Sequence, residues 1–343
     1  MKISWFLIFY ILPLALSQIS CPNYLCSPTK LDSNTCILYE SNTFLLQPCK
    51  DNYVCPPLTS ADSSQCQPKP SPSLEKSWPG ESCQNNSTCA YGHCEKSICK
   101  GKSLNETCSI SDECEPKLRC LNGICQELLS ESSKGCNTDY DCENHCGCEN
   151  HQCVRYLSKY EGDSVANCIN NSSMICGSTM CYEEYCLAFL QNDKEIPTVC
   201  KSDEDCASSH YDTPAYPFKF YQTCQCGINS LGNAYCSLFP GDEPMNNYLD
   251  WLNYWFYSRS IQKCNTVRRT SLNCIKTWWK AKYYTTFAYI LSITMNYPQI
   301  QENDNCVEKI YNQAYISARN SYEKTNNHYK LSIPALILTA FLL

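Results

Sequence analysis

NHCGCENHQC, residues 144–153, decides how this chain is read. Two histidines, His145 and His151, alternate there with Cys146, Cys148 and Cys153. Structural zinc takes four Cys or His ligands in tetrahedral geometry, usually from two close pairs separated by a longer loop. Cys146, Cys148 and the flanking histidines supply that count. The alternative is a crowded piece of disulfide scaffold whose histidines are exposed loop residues. TCQCGINSLGNAYC, residues 223–236, discriminates between the two. It carries the same C-x-C in what reads as the same role, and it has no histidine. An architecture that required a metal would lack its ligands there. Bridged cysteines are therefore expected, and no metal or other cofactor.

The cysteines around this stretch recur on a common plan. Cys83, Cys89, Cys94 and Cys99 are separated by five, four and four residues. Cys108, Cys114, Cys120 and Cys125 are separated by five, five and four. Cys136, Cys142, Cys146, Cys148 and Cys153 open with five and close with four, with the C-x-C between. Cys168, Cys176, Cys181 and Cys186 form a looser copy, and Cys200, Cys206, Cys224, Cys226 and Cys236 restore the five-residue opening and the C-x-C around long insertions. Self-similarity at a period of about 28 residues marks a repeat array. Such units are too small to bury a real core, so two bridges each, worth about 2–4 kcal/mol apiece, would replace it. Four cysteines allow three pairings, all open from sequence. A five-cysteine unit leaves one over, with Cys146 or Cys148 a candidate to bridge to a neighbouring unit.

The opening loops CSISDEC, CNTDYDC and CKSDEDC repeat as well. Asp, Ser and Asn favour turns by bonding their own backbone, which suits a tight loop pinned at both ends. Calcium would need six to eight convergent oxygen ligands, more than these loops offer. In LNGIC, Gly123 reads as a hairpin turn into a short strand. Little regular helix is expected in this region.

From Gly241 the character changes, and only Cys264, Cys274 and Cys306 remain. Tyr248, Trp251, Leu252 and Trp255 follow the i, i+3, i+4, i+7 period of an amphipathic helix. SLNCIKTWWKAKYYTTFAYILSITMNY predicts a second helix, ended by Pro298. Asp304 is placed to cap a third, with Val307, Ile310, Tyr311, Ala314 and Ala318 on one face. One of the three cysteine pairs would staple this bundle.

The ends of the chain carry addresses. MKISWFLIFYILPLALS has a basic start, an apolar run and small residues at Ala15 and Ser17, the pattern of a cleaved secretory signal. The uncharged run Leu331–Leu343 reaches about 20 Å as a helix, short of a hydrocarbon core of about 30 Å. With the polar NSYEKTNNHYK before it, it fits a glycosylphosphatidylinositol (GPI) attachment signal, with Asn320 as the attachment residue. Thirty-one cysteines in 343 residues is the density of a disulfide scaffold in an oxidising compartment. The odd count leaves at least one unpaired within the chain. Sequons begin at Asn85, Asn86, Asn105, Asn170 and Asn171, each between cysteines.

Residues 241–330 hold eleven Lys and Arg against seven Asp and Glu, a local charge of +4 within a total of −7. A basic part joined to an acidic one, in a secreted chain, argues for two modules and against nucleic acid. The expected divisions are a signal peptide (1–17), an N-terminal cysteine-rich module (18–66), a proline-rich linker (67–80), the repeats (81–240), an aromatic-rich helical module (241–322) and the anchor signal (323–343). The fold class is then small disulfide-rich repeats, irregular with short β-hairpins, followed by a small α-helical module. The repeats would form a rod or beaded stalk, with the helical module nearest the membrane.

Catalysis is not expected. The five histidines (His93, His145, His151, His210 and His328) sit in no G-x-S-x-G or H-E-x-x-H setting.

The C-x5-C opening with its SD-x-DC flavour, the C-x-C and the closing C-x4-C resemble the Dickkopf N-terminal cysteine-rich domain and the related EB module. The resemblance covers residues 83–236 and is clearest at Cys108–Cys125, Cys136–Cys153 and Cys200–Cys206. It implies an extracellular disulfide fold. The second Dickkopf cysteine domain has no counterpart here, so Wnt antagonism does not carry over. The Asn-, Tyr- and Ser-rich composition resembles surface proteins of unicellular eukaryotes. The expected role is a glycosylated, GPI-anchored surface protein for adhesion, coat formation or binding of an extracellular protein or glycan. A freely secreted Dickkopf-like signalling modulator or inhibitor is the alternative.

Overall fold

A computed structural model of the chain describes residues 19–26, 31–58, 62–69, 76–170, 172–209, 219–300 and 305–340. The signal peptide expected over 1–17, and Asp304, lie outside the described residues. Disulfide-rich repeats built on short hairpins precede a region of five helices.

Five units, I to V, share one pairing. The first cysteine bonds the third and the second bonds the fourth: Cys83–Cys94 with Cys89–Cys99, Cys108–Cys120 with Cys114–Cys125, Cys136–Cys148 with Cys142–Cys153, Cys168–Cys181 with Cys176–Cys186, and Cys200–Cys224 with Cys206–Cys236. In each unit the third and fourth cysteines face each other across a hairpin. In units I to IV the hairpin turns on two residues of positive φ, Lys96-Ser97, Asn122-Gly123, Asn150-His151 and Glu183-Glu184. That is the two-residue turn whose twist matches the flanking strands.

The opening loops explain their own composition. In units I, II, III and V the loop is a single 3-10 turn, Asn86–Thr88, Ser111–Glu113, Asp139–Asp141 and Asp203–Asp205. The residue before the second cysteine (Thr88, Glu113, Asp141 or Asp205) accepts the N–H of the residue after the first, at 2.8–3.3 Å. The residue three before the second cysteine accepts the N–H of the third. Asn86 takes Cys94 at 2.9 Å, Ser111 takes Cys120 at 3.0 Å, Asp139 takes Cys148 at 2.8 Å and Asp203 takes Cys224 at 2.7 Å. Two side chains per loop thus satisfy donors that no β-ladder reaches, where an orphaned N–H would be costly.

Unit stacks on unit. The segment entering each of units I to IV makes a parallel bridge to that unit's second cysteine, Ser77 to Cys89, Lys102 to Cys114, Leu129 to Cys142 and Lys159 to Cys176. Arg119 of unit II, 6% exposed, holds Asp141 of unit III at 2.7 Å. Lys159 reaches Glu149 at 3.2 Å where unit III meets unit IV.

The two C-x-C pairs differ in role, which corrects the sequence reading. The third cysteine of the plan, recognised by its N–H to the opening aspartate, is Cys148 in unit III and Cys224 in unit V. The extra cysteine therefore precedes it in unit III (Cys146) and follows it in unit V (Cys226). Cys226 leaves its unit to bond Cys21 of the N-terminal module. Cys146 is a free, buried thiol. Cys148 closes its own unit, so neither member of the first pair reaches a neighbouring unit.

The N-terminal module is a small sheet of Asn23–Cys26, Thr35–Glu40, Thr43–Leu46 and Ser63–Gln65, bridged by Cys36–Cys55 and Cys49–Cys66. Cys26–Cys306 ties it to the helical region across 280 residues. Ile37 and Leu46 pack there on Val307, and Tyr24 meets Tyr311 edge-on at 5.6 Å.

The helices are α1 (Glu243–Tyr257), α2 (Leu272–Trp278), α3 (Ala281–Asn296), α4 (Asn305–Tyr311) and α5 (Gln313–Ala340). The predicted second helix is two, because Trp279 is extended. Its indole fills the space between Trp255 (5.1 Å) and Phe287 (5.8 Å), a packing gain that outweighs helix continuity. The third is also divided, at the buried Asn312. On α5 it is Tyr315 and Tyr322 that stack on Tyr289 of α3, while Ala314 of the predicted face is exposed. Of the three cysteines, Cys264–Cys274 is the staple within the helical region.

No free stalk results. The largest core joins Tyr156, Leu157, Val165 and Ile175 of units III and IV to Leu252, Trp255, Phe256, Ile275 and Phe287 of the helices. Units too small for private cores have borrowed one from the helical region.

Candidate functional site

The chain between α1 and α2, tied by Cys264–Cys274, is a wedge laid across units I to III. It is polar in sequence, yet Asn265 and Thr266 are fully buried and Arg269 is 4% exposed. Each finds partners in the repeats. Asn265 donates to the carbonyls of Ser111 and Cys114, both at 3.0 Å. Thr266 donates to the Tyr140 carbonyl at 3.1 Å. The Arg269 guanidinium donates to the Cys146 and Asp139 carbonyls, each at 2.8 Å. In return Asn144, also fully buried, donates to the carbonyls of Ile261 (2.7 Å) and Cys264 (2.8 Å). Ser271 donates to Glu81 at 2.6 Å, and the Trp278 indole N–H to the Gly80 carbonyl at 2.7 Å. Gly80, at φ +90°, has no room for a Cβ against the Lys263 carbonyl.

Cys146 sits at the floor of this seam. Burial, followed by the nearby Glu131 and Glu143 charges, pushes its thiol up to about 12. It occupies the place two residues before the third cysteine, where unit II has the buried Leu118. There it acts as a small hydrophobe. Gly147 beside it is required by packing, since a Cβ would lie 2.8 Å from Tyr156 Cε1.

The candidate zinc ligands do not converge. Cys148 and Cys153 are consumed in bridges. His151 occupies the second turn position of its hairpin and its Nδ1 lies 3.0 Å from the Cys136 carbonyl. His145 faces the wedge instead. Its Nδ1 is 2.8 Å from the Gln262 amide, and its Nε2 is 3.4 Å from Glu131 and 3.9 Å from Glu143. Three sulfurs fall within 4.8 Å in units I, II, III and V because two bridges cross there.

Above the seam runs a groove with two adjoining clefts, which share Glu115, Pro116, Lys117 and Gln262. The larger, about 660 Å³, lies over Leu104, Leu128, Tyr257 and Arg259, with His145, Glu143 and Arg155 along one wall. Arg155 is held by Glu131 at 2.7 Å and stacks on the Tyr257 ring at 4.8 Å. The guanidinium of Arg155 holds the Glu131 carboxyl below its usual range. The smaller cleft, about 450 Å³, has Ile98, Pro116 and Trp278 as its floor and Lys96, Lys100, Lys117 and Lys263 around it. Sequence reasoning missed this groove entirely. Its residues come from units I to III, from α1 and α2 and from the wedge, and Lys117 and Lys263 are far in sequence from Lys96 and Lys100.

The sequon residues Asn85, Asn86, Asn105 and Asn170 are exposed, and Asn171 is outside the described residues. Asn86 keeps its side-chain carbonyl on Cys94, so its role in the loop is structural. Asn105 takes a turn at φ +68° and gives its N–H to the Cys125 carbonyl. Asn320 is exposed in mid-α5. Among the described residues, no helix is long and apolar enough to cross a membrane.

Compared with family models, with curated proteins and with solved structures, the chain matches none. The likeness to the Dickkopf N-terminal domain and the EB module thus rests on cysteine spacing.

Proposed function

We propose that this is a glycosylated extracellular protein, held at the cell surface by a lipid anchor, that binds an extracellular partner through the groove above the seam. The role is non-catalytic: adhesion, coat formation or ligand capture. One observation carries the reading. A concave surface of mixed apolar and charged lining is built where rigid, doubly bridged units lock onto a helical region through buried polar contacts. A site so preorganised loses little conformational entropy on binding.

The fifteen disulfides support an oxidising compartment. Expression of the full chain in a secretory host, followed by treatment of intact cells with phosphatidylinositol-specific phospholipase C, tests the anchor. Release of the protein from the cell surface is the expected result. Protein already in the medium, with none released, replaces the anchored form by a freely secreted modulator. Loss of mass with an N-glycosidase, and a shift smaller by one glycan in N105Q, tests the glycans.

A further inference from the structure

We propose that the lysine-rimmed cleft binds a short acidic peptide segment of the extracellular partner, seating one apolar side chain on Ile98, Pro116 and Trp278. This rests on the binding role proposed above and adds the chemistry of the ligand. The cleft departs from its surroundings. Residues 1–240 and 331–343 together carry −11 of the chain's −7 total, yet here the repeats contribute Lys96, Lys100 and Lys117, and the wedge adds Lys263.

Their neutralisation is incomplete. Glu95 approaches Lys96, and Glu115 approaches Lys100, only to 3.9 Å each. Lys117 has no ion-pair partner among the described residues, and Lys263 lies 4.3 Å over the Trp278 ring, a contact that needs no counter-ion. Lysine ammoniums are compact charges on flexible stems, suited to carboxylates whose positions vary along an extended chain.

The floor selects between classes of polyanion. A sulfated polysaccharide offers little to Ile98, Pro116 and Trp278. Extended past Lys117, it would enter the adjoining cleft, where Glu115, Glu127 and Glu143 offset Lys117, Arg155 and Arg259, so further sulfates find no surplus of cations there. A peptide that is acidic over the lysines and apolar beyond finds Leu104, 48% exposed, and Tyr257, 57% exposed, in that same cleft. The strand Ile98–Lys100 is already paired to His93–Glu95, and the Cys99 N–H goes to Glu81. Recognition is therefore by side chains, not by adding a strand.

The test uses the full glycosylated chain and fluorescein-labelled octapeptides in fluorescence anisotropy. The probes alternate Glu-Leu, Lys-Leu or Glu-Gly, and fluorescein-labelled heparin is titrated in parallel. Expected are saturable binding of the Glu-Leu peptide, at least tenfold weaker binding of the other two, and at least tenfold weakening in K117E/K263E. K117Q/K263Q should weaken it about threefold or more, and serves if charge reversal impairs secretion. K117R/K263R should retain binding. Equal binding of the Glu-Leu and Lys-Leu peptides, or no effect of the lysine variants on a secreted, fully bridged protein, overturns the proposal. Heparin binding that depends on Lys117 and Lys263 in the absence of Glu-Leu binding also overturns it, in favour of a polysaccharide ligand. Surface display is read separately by lipase release, so failure here leaves the anchored reading standing.

Discussion

Arg269→Met removes the pin of the seam while keeping the length and apolar stem of the side chain. The guanidinium is 4% exposed and gives five hydrogen bonds, to the carbonyls of Thr266 (2.7 Å), Cys146 (2.8 Å) and Asp139 (2.8 Å), the Thr266 hydroxyl (3.1 Å) and the Tyr156 hydroxyl (3.3 Å). Two of the three carbonyls belong to unit III, so they lose the partner that joins them to the wedge. Each buried acceptor left without its donor costs about 1–3 kcal/mol, so the two unit III carbonyls together account for about 2–6 kcal/mol. A loss of about 2–6 kcal/mol is therefore expected. Guanidinium unfolding followed by tryptophan emission reads it, because Trp255 and Trp279 lie in the core under the wedge. The bridges keep each unit closed, so the transition reports separation of wedge from repeats. Arg269→Lys should recover only part, since one ammonium cannot reach the Cys146 and Asp139 carbonyls with a planar fork. Arg268→Ala, which removes a cation stacked 3.8 Å from Trp78, should cost only about 1 kcal/mol. A loss below about 1 kcal/mol for Arg269→Met, with all bridges formed, would refute the account of the seam.

Cys146 should be silent to Ellman's reagent in the native protein at pH 8 and give one thiol per chain in denaturant; rapid reaction of the native form would contradict its burial. Its raised folded value means stability is intact below the unfolded thiol range and falls as pH rises above about 9, a slope that Cys146→Val should reduce. At the acid end, burial pushes Asp141 up, but the N–H groups of Asn137 and Thr138 and the Arg119 guanidinium hold it below its usual range. Lys102 and the Ser109 N–H lower Glu113, and the Lys201 N–H lowers Asp205. Stability from these groups is present above about pH 4 and lost as pH falls through their folded values; a melting temperature flat from pH 5 to pH 2 would count against it. Gly147→Ala should cost about 1–3 kcal/mol by driving a methyl into the Tyr156 ring, measured in the same unfolding assay. Peptide mapping without reduction should recover first-to-third and second-to-fourth bridges in all five units, together with Cys21–Cys226 and Cys26–Cys306; a first-to-second link in any unit breaks the plan.

Local chemistry was legible in the chain itself. The repeat, the I′ turn at Asn122-Gly123, the turn-forming role of the acidic loops and the helix through Trp255 all depend on residues within a few positions of one another. Spacing alone says which cysteines share a unit, because a bridge of about 5.8 Å between Cα atoms closes over 10–13 residues in units I to IV.

Three things only the tertiary structure decided. The pairing within a unit depends on how the hairpin folds over the opening loop, which sets the third cysteine against the first. The separate roles of Cys146 and Cys226 depend on register, since a shift of two residues along a strand keeps the same face but changes the neighbour. The seam and its groove join Asn265 and Arg269 to carbonyls 123–154 positions away, contacts no local pattern encodes. That separation is why the sequence describes an array of bridged units, and why the surface they form together had to be found in three dimensions.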